Sequence, residues 1–142
     1  MLDNNIAILL IDDDEVDVMN VQRAFKKNHI TNPVHVAGNG LEALAKLRGT
    51  DGQEKINPMP KIVLLDINMP KMNGIEFLTK LRADPDLHAI SVFVLTTSDE
   101  EKDCVAAYDM NVAGYILKPV EPGKFMDAVK TLNVFWSLIE LP

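Results

Sequence analysis

The chain has 142 residues, which suits one domain with its own core and requires neither disulfides nor structural zinc. Its formal net charge of −7 argues against a nucleic-acid surface, and its single cysteine cannot form an internal bridge. No apolar stretch approaches the roughly 18 residues that span a bilayer, and no signal-peptide pattern opens the chain. We therefore expect one domain over residues 1–142 in a reducing cytoplasm, acting neither on nucleic acid nor in a membrane.

Strands and helices are predicted to alternate, a pattern typical of a doubly wound α/β fold. The first strand lies in the apolar run 6–11, and apolar residues at helical spacing predict a helix over 15–28. A short strand over 33–37 precedes a helix whose cap is Asn39. The polar stretch 49–60 carries Gly and Pro at its ends and is predicted to be a long loop.

The second half of the chain continues the alternation. The third strand is predicted over 61–66, the next helix over 75–83 and the fourth strand over 92–96. Ser98 and Glu101 have the spacing of a capping box, which begins a helix running to about residue 108.

The fifth strand is predicted over residues 114–117, and Pro122 suits the first turn of a last helix. Residues 133–142 form an apolar extension of that helix, with Val134 and Leu138 off its core-facing stripe. This extension either meets a partner surface or folds back on its own domain. The predicted fold is a five-stranded parallel sheet with five helices, in the flavodoxin-like order 2-1-3-4-5.

Polar side chains stand where the predicted strands end: Asp12 and Asp13, Asp66, Thr96, and Lys118. The carboxyl ends of parallel strands share one edge, where ligands bind in such sheets, so we expect a single crevice. Carboxylates that crowd together repel unless a divalent cation compensates them. A cation that keeps several waters and shares a phosphate oxygen is better matched by Mg²⁺ than by Ca²⁺.

This set of side chains suits phosphoryl transfer. A bound cation would keep Asp66 ionised as a nucleophile, while Lys118 and the Thr96 hydroxyl would neutralise phosphoryl oxygens. Asp14 has no assigned partner and is interpreted as the cap of the first helix or as a solvated charge.

Together these motifs resemble the receiver domain of bacterial two-component response regulators. The resemblance covers nearly the whole chain and rests on Asp12 and Asp13, on the segment 65–70 with Gly74, on Thr96, and on the segment 115–119. Because the chain ends shortly after the predicted last helix, we expect a stand-alone response regulator without an output domain.

The resemblance implies a role for each site residue. Asp66 would accept a phosphoryl group from a phosphohistidine of a sensor histidine kinase, and Lys118 would pair with one of its oxygens. The ligands of Mg²⁺ would be Asp13, Asp66 and the main-chain carbonyl of Asn68. Asp12 would act mostly through water. Uptake and slow hydrolysis of the phosphoryl group would be self-catalysed, so the protein would not be an enzyme in the usual sense.

The resemblance also implies a switch. Thr96 would move toward the new phosphate, Tyr115 would fill the vacated space, and the surface of the fourth helix, fifth strand and fifth helix would change. The Lys118-Pro119 bond is expected to be cis. The long loop and the apolar tail most resemble single-domain regulators paired with phytochrome-type kinases. A homodimer through the switch surface or the tail is a further expectation, and the downstream target stays unknown.

Two other functions share parts of this pattern. An aspartyl-phosphate phosphatase of the haloacid-dehalogenase type needs a second Asp two residues after the nucleophile, and this chain has Asn68 there. A receiver-like module that binds partners without phosphate is disfavoured because the reactive side chains are all present. The stretch 38–43 imitates a dinucleotide fingerprint and is interpreted as a turn with a helix cap. The stretch 12–17 lacks the Gly and closing Glu of a calcium loop.

Overall fold

The computed structural model describes residues 6–27, 29–67 and 73–118. Its elements, in chain order, are β1 (Ile8–Ile11), α1 (Glu15–Lys27), β2 (Val34–Ala37), α2 (Gly40–Arg48), β3 (Ile62–Asp66), α3 (Gly74–Ala83), β4 (Ser91–Thr96), α4 (Asp99–Ala107) and β5 (Gly114–Leu117). Each predicted element in these ranges is confirmed, with boundaries shifted by a residue or two. The Asn68 carbonyl, the Lys118-Pro119 bond, the predicted last helix and the tail 133–142 lie outside the described residues.

The sheet has five parallel strands in the order β2-β1-β3-β4-β5, which confirms the predicted topology. Every residue of β1 and β3 is buried, as their near-continuous apolar sequences require for central strands covered on both faces. The register aligns the carboxyl ends of the strands: Ile11 lies opposite Leu65, and Asp66 lies opposite Leu95. Residues that follow these strands therefore emerge along one edge of the sheet.

The core forms one layer on each side of the sheet. Leu9 and Ile11 point to the side covered by α2 and α3, whereas Ile8 and Leu10 point to the side covered by α1. On α1 the predicted stripe is buried at Val21, Ala24 and Phe25. Each fully buried Leu or Ile contributes roughly 1.5–3 kcal/mol relative to exposure. These two layers make the sheet a rigid support for its carboxyl edge.

Each described helix begins near that carboxyl edge with a side-chain cap. Main-chain N–H groups donate to the capping oxygens of Asp14 (2.8 Å), Asn39 (2.9 Å), Asn73 (2.9 Å) and Ser98 (3.3 Å). Of the two interpretations of Asp14, the structure therefore supports the helix cap. Capped starts place four helix N-termini, with their partial positive charge, around the edge where the carboxylates lie.

The capping box of α4 includes one partner that the sequence did not predict. The Glu101 N–H donates to the Ser98 hydroxyl as expected, but the Glu101 carboxylate also reaches Thr97, accepting from its N–H at 3.2 Å and its hydroxyl at 3.0 Å. Thr97 offers two donors, its main-chain N–H and its hydroxyl, and both bond to this one carboxylate. The start of α4 is thereby tied to the residue that directly follows β4.

Arg82, near the end of α3, ties together the loops that lead into β4 and β5. Its guanidinium donates to the main-chain carbonyls of His88 (2.9 Å), Ile90 (2.7 Å), Met110 (2.8 Å) and Asn111 (3.1 Å). A guanidinium has five N–H donors in a planar fork, so one side chain can satisfy several carbonyls at once. Arg82 therefore fixes the strand ends opposite the carboxyl edge.

Across the three described ranges, no helix combines the length and apolarity needed to cross a membrane.

Candidate functional site

A cleft of about 490 Å³ opens at the carboxyl edge of the sheet. Its walls come from the junction of β1 and α1, from the end of β3, from the start of α4 and from Lys118 after β5. The cleft therefore lies beside the point where the strand order reverses, between β1 and β3, as the sequence predicted.

Three carboxylates meet in this region. Asp12, Asp13 and Asp66 each offer an oxygen, and these oxygens lie within 4.8 Å of one another. Because β1 and β3 are neighbours in register, the residues at and just beyond their ends must lie side by side. Asp12 and Asp66 are only 2% and 5% exposed, whereas Asp13 is exposed. The structure thus brings together the acidic residues that the sequence assigned to the site.

The Lys118 ammonium is held among carboxylates. Its Nζ lies 2.7 Å from Asp17 Oδ2, 3.0 Å from Asp66 Oδ1 and 3.3 Å from Asp12 Oδ2. Burial works to lower the pKa of Lys118, but hydrogen bonds to Asp17 and Asp66 and the charge of Asp12 outweigh it, so the pKa lies above its ordinary value. The main-chain N–H of Lys118 also donates to the main-chain carbonyl of Thr96 at 2.7 Å. Lys118 is therefore a fixed positive charge in the cleft.

Asp12 is the carboxylate with the least favourable surroundings. Burial raises the pKa of Asp12 to about 7; the hydrogen bond from the Asp14 N–H opposes this rise, the charge of Asp66 adds to it, and Lys118 opposes it. Asp12 Oδ2 is at ion-pair distance from Lys118, yet within the described part of the chain it has no hydrogen-bond partner. Within those described residues, its negative charge is thus incompletely compensated.

These donors fit a hard divalent cation. Carboxylate oxygens are the ligands that Mg²⁺ and related ions take, and a buried Asp12 oxygen without a hydrogen-bond partner among the described residues is available to such an ion. Asp13 and Asp66 supply further oxygens in reach of the same point. The cluster therefore favours divalent-metal binding.

Two other predicted residues lie at the borders of the site. Thr96 ends β4 and is 3% exposed, and it is the next residue, Thr97, whose atoms line the cleft. Tyr115 lies on β5, partly buried against the core layer that contains α2 and α3. The Lys102 ammonium of α4 sits over its ring, 5.4 Å from the centroid. Tyr115 is thus in contact with α4 in this state.

The sequence analysis missed Asp17. This residue lies in the first turn of α1 and makes the shortest contact with Lys118. A signal was available, because a helix that starts at the carboxyl edge directs the residues of its first turn toward that edge. An acidic residue there is also explained by the helix dipole alone, so the pattern did not distinguish the two roles.

A doubly wound parallel sheet with an acidic cluster that favours a divalent metal and a half-buried lysine at its carboxyl edge is typical of small α/β phosphoryl-transfer domains. Comparison with known families narrows this class. The model of the response regulator receiver domain matches residues 8–130, and the chain belongs to that family. It is therefore a response regulator of two-component signal transduction, a class that works with a histidine kinase.

Relatives and solved structures that are similar to this chain are also named response regulators. Response regulator Rcp1 of Synechocystis is 36% identical over 137 residues, covering 96% of this chain and 92% of Rcp1. The bacteriophytochrome response regulator RtBRR superimposes with a TM-score of 0.85 at 35% identity, covering 97% of this chain and 84% of RtBRR. The phosphorylated cyanobacterial phytochrome response regulator RcpA gives 0.74 at 33% identity, covering 96% and 97%. The Mn²⁺-bound form of a response regulator named Rcp1 gives a TM-score of 0.69 at 33% identity, covering 92% and 93%.

Proposed function

We propose that this response regulator accepts a phosphoryl group on Asp66 from a phosphohistidine of its kinase, with Mg²⁺ held by the acidic cluster. One observation carries the proposal: the Asp66 carboxylate ends β3 in a cleft, beside the carboxylates of Asp12 and Asp13 and 3.0 Å from the Lys118 ammonium. A nucleophile for phosphorus needs this combination of ionisation, access and nearby positive charge.

Each residue of the site has its own role in the proposed phosphoryl transfer. An Asp66 carboxylate oxygen forms a bond to phosphorus as the phosphorus–nitrogen bond of the phosphohistidine breaks, and the imidazole leaves with the electron pair. Lys118 compensates the charge that builds on the phosphoryl oxygens. Asp13, Asp66 and the main-chain carbonyl of Asn68 are the proposed metal ligands, with Asp12 acting mostly through water. Mg²⁺, when bound, neutralises the crowded carboxylates and the transferred group.

The proposed switch runs through the end of β4. Thr96 moves toward the phosphoryl group and Tyr115 fills the space it leaves, which changes the surface formed by α4, β5 and the predicted fifth helix. Support comes from the bond between the Lys118 N–H and the Thr96 carbonyl, and from the bonds between Thr97 and Glu101 at the start of α4. A change at the site therefore has a short covalent and hydrogen-bonded route to α4.

The kinase is proposed to be of the phytochrome type, because RtBRR and RcpA are named as bacteriophytochrome and phytochrome response regulators. The proposed compartment is the cytoplasm, where such kinases present their phosphohistidine. A homodimer and a docking role for the tail 133–142 remain proposals from the sequence. A phosphotransfer profile against the histidine kinases of the source cell tests the pairing, and preferential transfer from a kinase without a phytochrome module would contradict it.

Phosphoryl uptake is tested by incubating the protein with Mg²⁺ and acetyl phosphate and following the intact mass. We expect one phosphoryl group per chain, none after chelation of Mg²⁺, and none in Asp66→Asn. Asp86→Asn, an exposed residue between α3 and β4, is the control and should label like the wild type. Labelling that persists in Asp66→Asn would refute the assignment. Repeated turnover of a phosphomonoester would instead indicate the phosphatase, and no uptake would indicate the phosphate-independent module.

A further inference from the structure

The shortest contact of the Lys118 ammonium is with a residue outside the acidic metal cluster. Asp17 Oδ2 lies 2.7 Å from Lys118 Nζ, closer than the oxygens of Asp66 and Asp12 at 3.0 Å and 3.3 Å. The Lys118 side chain is 11% exposed and the Asp17 side chain 20% exposed, so solvent screens this pair only partly. Asp17, a residue of α1, thus holds the Lys118 ammonium that the proposed reaction uses.

The geometry makes Asp17 a principal anchor of Lys118. A lysine ammonium has three N–H donors, and one of them is given to Asp17. Asp12 Oδ2, although 3.3 Å away, has no hydrogen-bond partner in the ranges that the structure describes. The flexible lysine side chain is therefore fixed by one hydrogen bond to α1 and by its contact with Asp66 at the end of β3.

We propose that Asp17 is a positioning residue that holds Lys118 in the unphosphorylated protein and opposes phosphorylation. The inference rests on the proposed role of Asp66 as phosphoryl acceptor. A phosphoryl group adds a charge of about −1.5 to −2 beside Asp66. Its oxygens compete with Asp17 for the donors of Lys118, and the Asp17 carboxylate repels them. Asp17 therefore stabilises the unphosphorylated state relative to the phosphorylated one, and sets how readily Asp66 is phosphorylated.

A helix-dipole role is the competing explanation for Asp17. An acidic residue in the first turn of α1 stabilises the helix by about 0.3–1 kcal/mol whatever it contacts. That role affects the stability of the fold and leaves the rate of phosphoryl uptake unchanged. Kinetics at saturating phosphodonor therefore separate the two roles.

The experiment measures the initial rate of phosphoryl uptake by intact mass, at saturating Mg²⁺ and over a range of acetyl phosphate concentrations. In Asp17→Asn we expect the limiting rate to rise by about three- to tenfold, because the amide removes one partly screened negative charge and accepts from Lys118 more weakly than a carboxylate does. Asp17→Glu keeps the carboxylate and should return toward the wild-type rate. Asp17→Ser, too short to reach Lys118, is a second neutral variant and should behave like Asp17→Asn.

The matched control is Asp14→Asn. Asp14 lines the same cleft and carries the same charge, and Asn preserves the helix cap. We expect this variant to lower the half-saturating concentration of the anionic phosphodonor and to leave the limiting rate unchanged. An unchanged or lower limiting rate in both neutral Asp17 variants, or an equal rise in Asp14→Asn, would overturn the inference while Asp66 still labels in the wild type. A wild type that takes up no phosphoryl group would overturn the proposed function and this inference together.

Discussion

Replacing Lys118 by Met tests whether one ammonium and a divalent cation share the task of compensating the acidic cluster. The substitution preserves much of the side-chain volume and leaves Asp12, Asp17 and Asp66 without the cation that lies 2.7–3.3 Å from each. Removing one partner of a buried ion pair costs about 3–5 kcal/mol. Two features reduce that figure here: Asp17 is partly exposed, and Asp12, with a pKa raised to about 7, takes up a proton readily.

We therefore expect the free energy of unfolding of Lys118→Met to fall by about 2–4 kcal/mol in the presence of a chelator at neutral pH. Saturating Mg²⁺ should stabilise the variant more than the wild type, because the cation takes over the compensation that the lysine supplied. Urea denaturation followed by circular dichroism, with chelator and then with Mg²⁺, measures both effects.

Lys46→Met is the control for this prediction. Lys46 forms a partly exposed pair with Glu42 on α2 and donates to the Val36 carbonyl, so its loss should cost about 1 kcal/mol and should not depend on Mg²⁺. Equal stability of Lys118→Met and the wild type in chelator would refute the reasoning. So would a Mg²⁺ effect of the same size in both proteins.

Three further predictions concern pH, a glycine contact and the Arg82 contacts. Burial raises the pKa of Asp12 to about 7, so between about pH 4 and pH 7 the folded metal-free protein keeps a proton that the unfolded chain loses. The free energy of unfolding of the metal-free protein should therefore fall as the pH rises through this range, by at most about 4 kcal/mol. Saturating Mg²⁺ should reduce the fall. In Gly74→Ala the new Cβ would lie 2.8 Å from Ile67 Cα and 3.1 Å from the Asp66 carbonyl oxygen, so the backbone after β3 must shift. We expect a loss of about 1–3 kcal/mol and slower uptake at Asp66. In Arg82→Lys an ammonium replaces a fork that serves four carbonyls, and the thermal midpoint should drop with a loss of about 1–3 kcal/mol.

Each of these has a clear contrary result. Metal-free stability that rises between pH 4 and 7 would contradict the buried, proton-binding Asp12, and Asp12→Asn should remove most of the dependence. Wild-type uptake by Gly74→Ala would show that the start of α3 does not set the position of Asp66. Full stability of Arg82→Lys would mean that the loops before β4 and β5 are held by other contacts.

The strands and the edge that they share follow from sequence patterns of short range. A run such as the one in β3 is apolar at every position except its end, which requires a central strand with a polar residue at the edge. Once several such strands are parallel, Asp12, Asp13, Asp66 and Lys118 must lie near one another, since each sits at or just after a strand end. The helix caps Asn39 and Ser98 could also be predicted from the sequence, because a capping side chain bonds within its own helix.

The contacts that escaped prediction join elements far apart in the chain. Asp17 and Lys118 are separated by 101 positions, and their contact depends on how α1 sits against β5 and on the rotamer of a four-methylene side chain. The Arg82 contacts depend in the same way on where two loops come to rest. Patterns of apolar periodicity specify which face of an element is buried and carry no information on these side-chain positions.

The most direct test of the central claim locates the phosphoryl group itself. The protein is phosphorylated with acetyl phosphate and Mg²⁺, the acyl phosphate is trapped by borohydride reduction, and the modified residue is identified by peptide mass spectrometry. We predict modification of Asp66 alone, and none when Mg²⁺ is chelated. Modification at any other residue, or at Asp66 to the same extent without a divalent cation, would contradict the account.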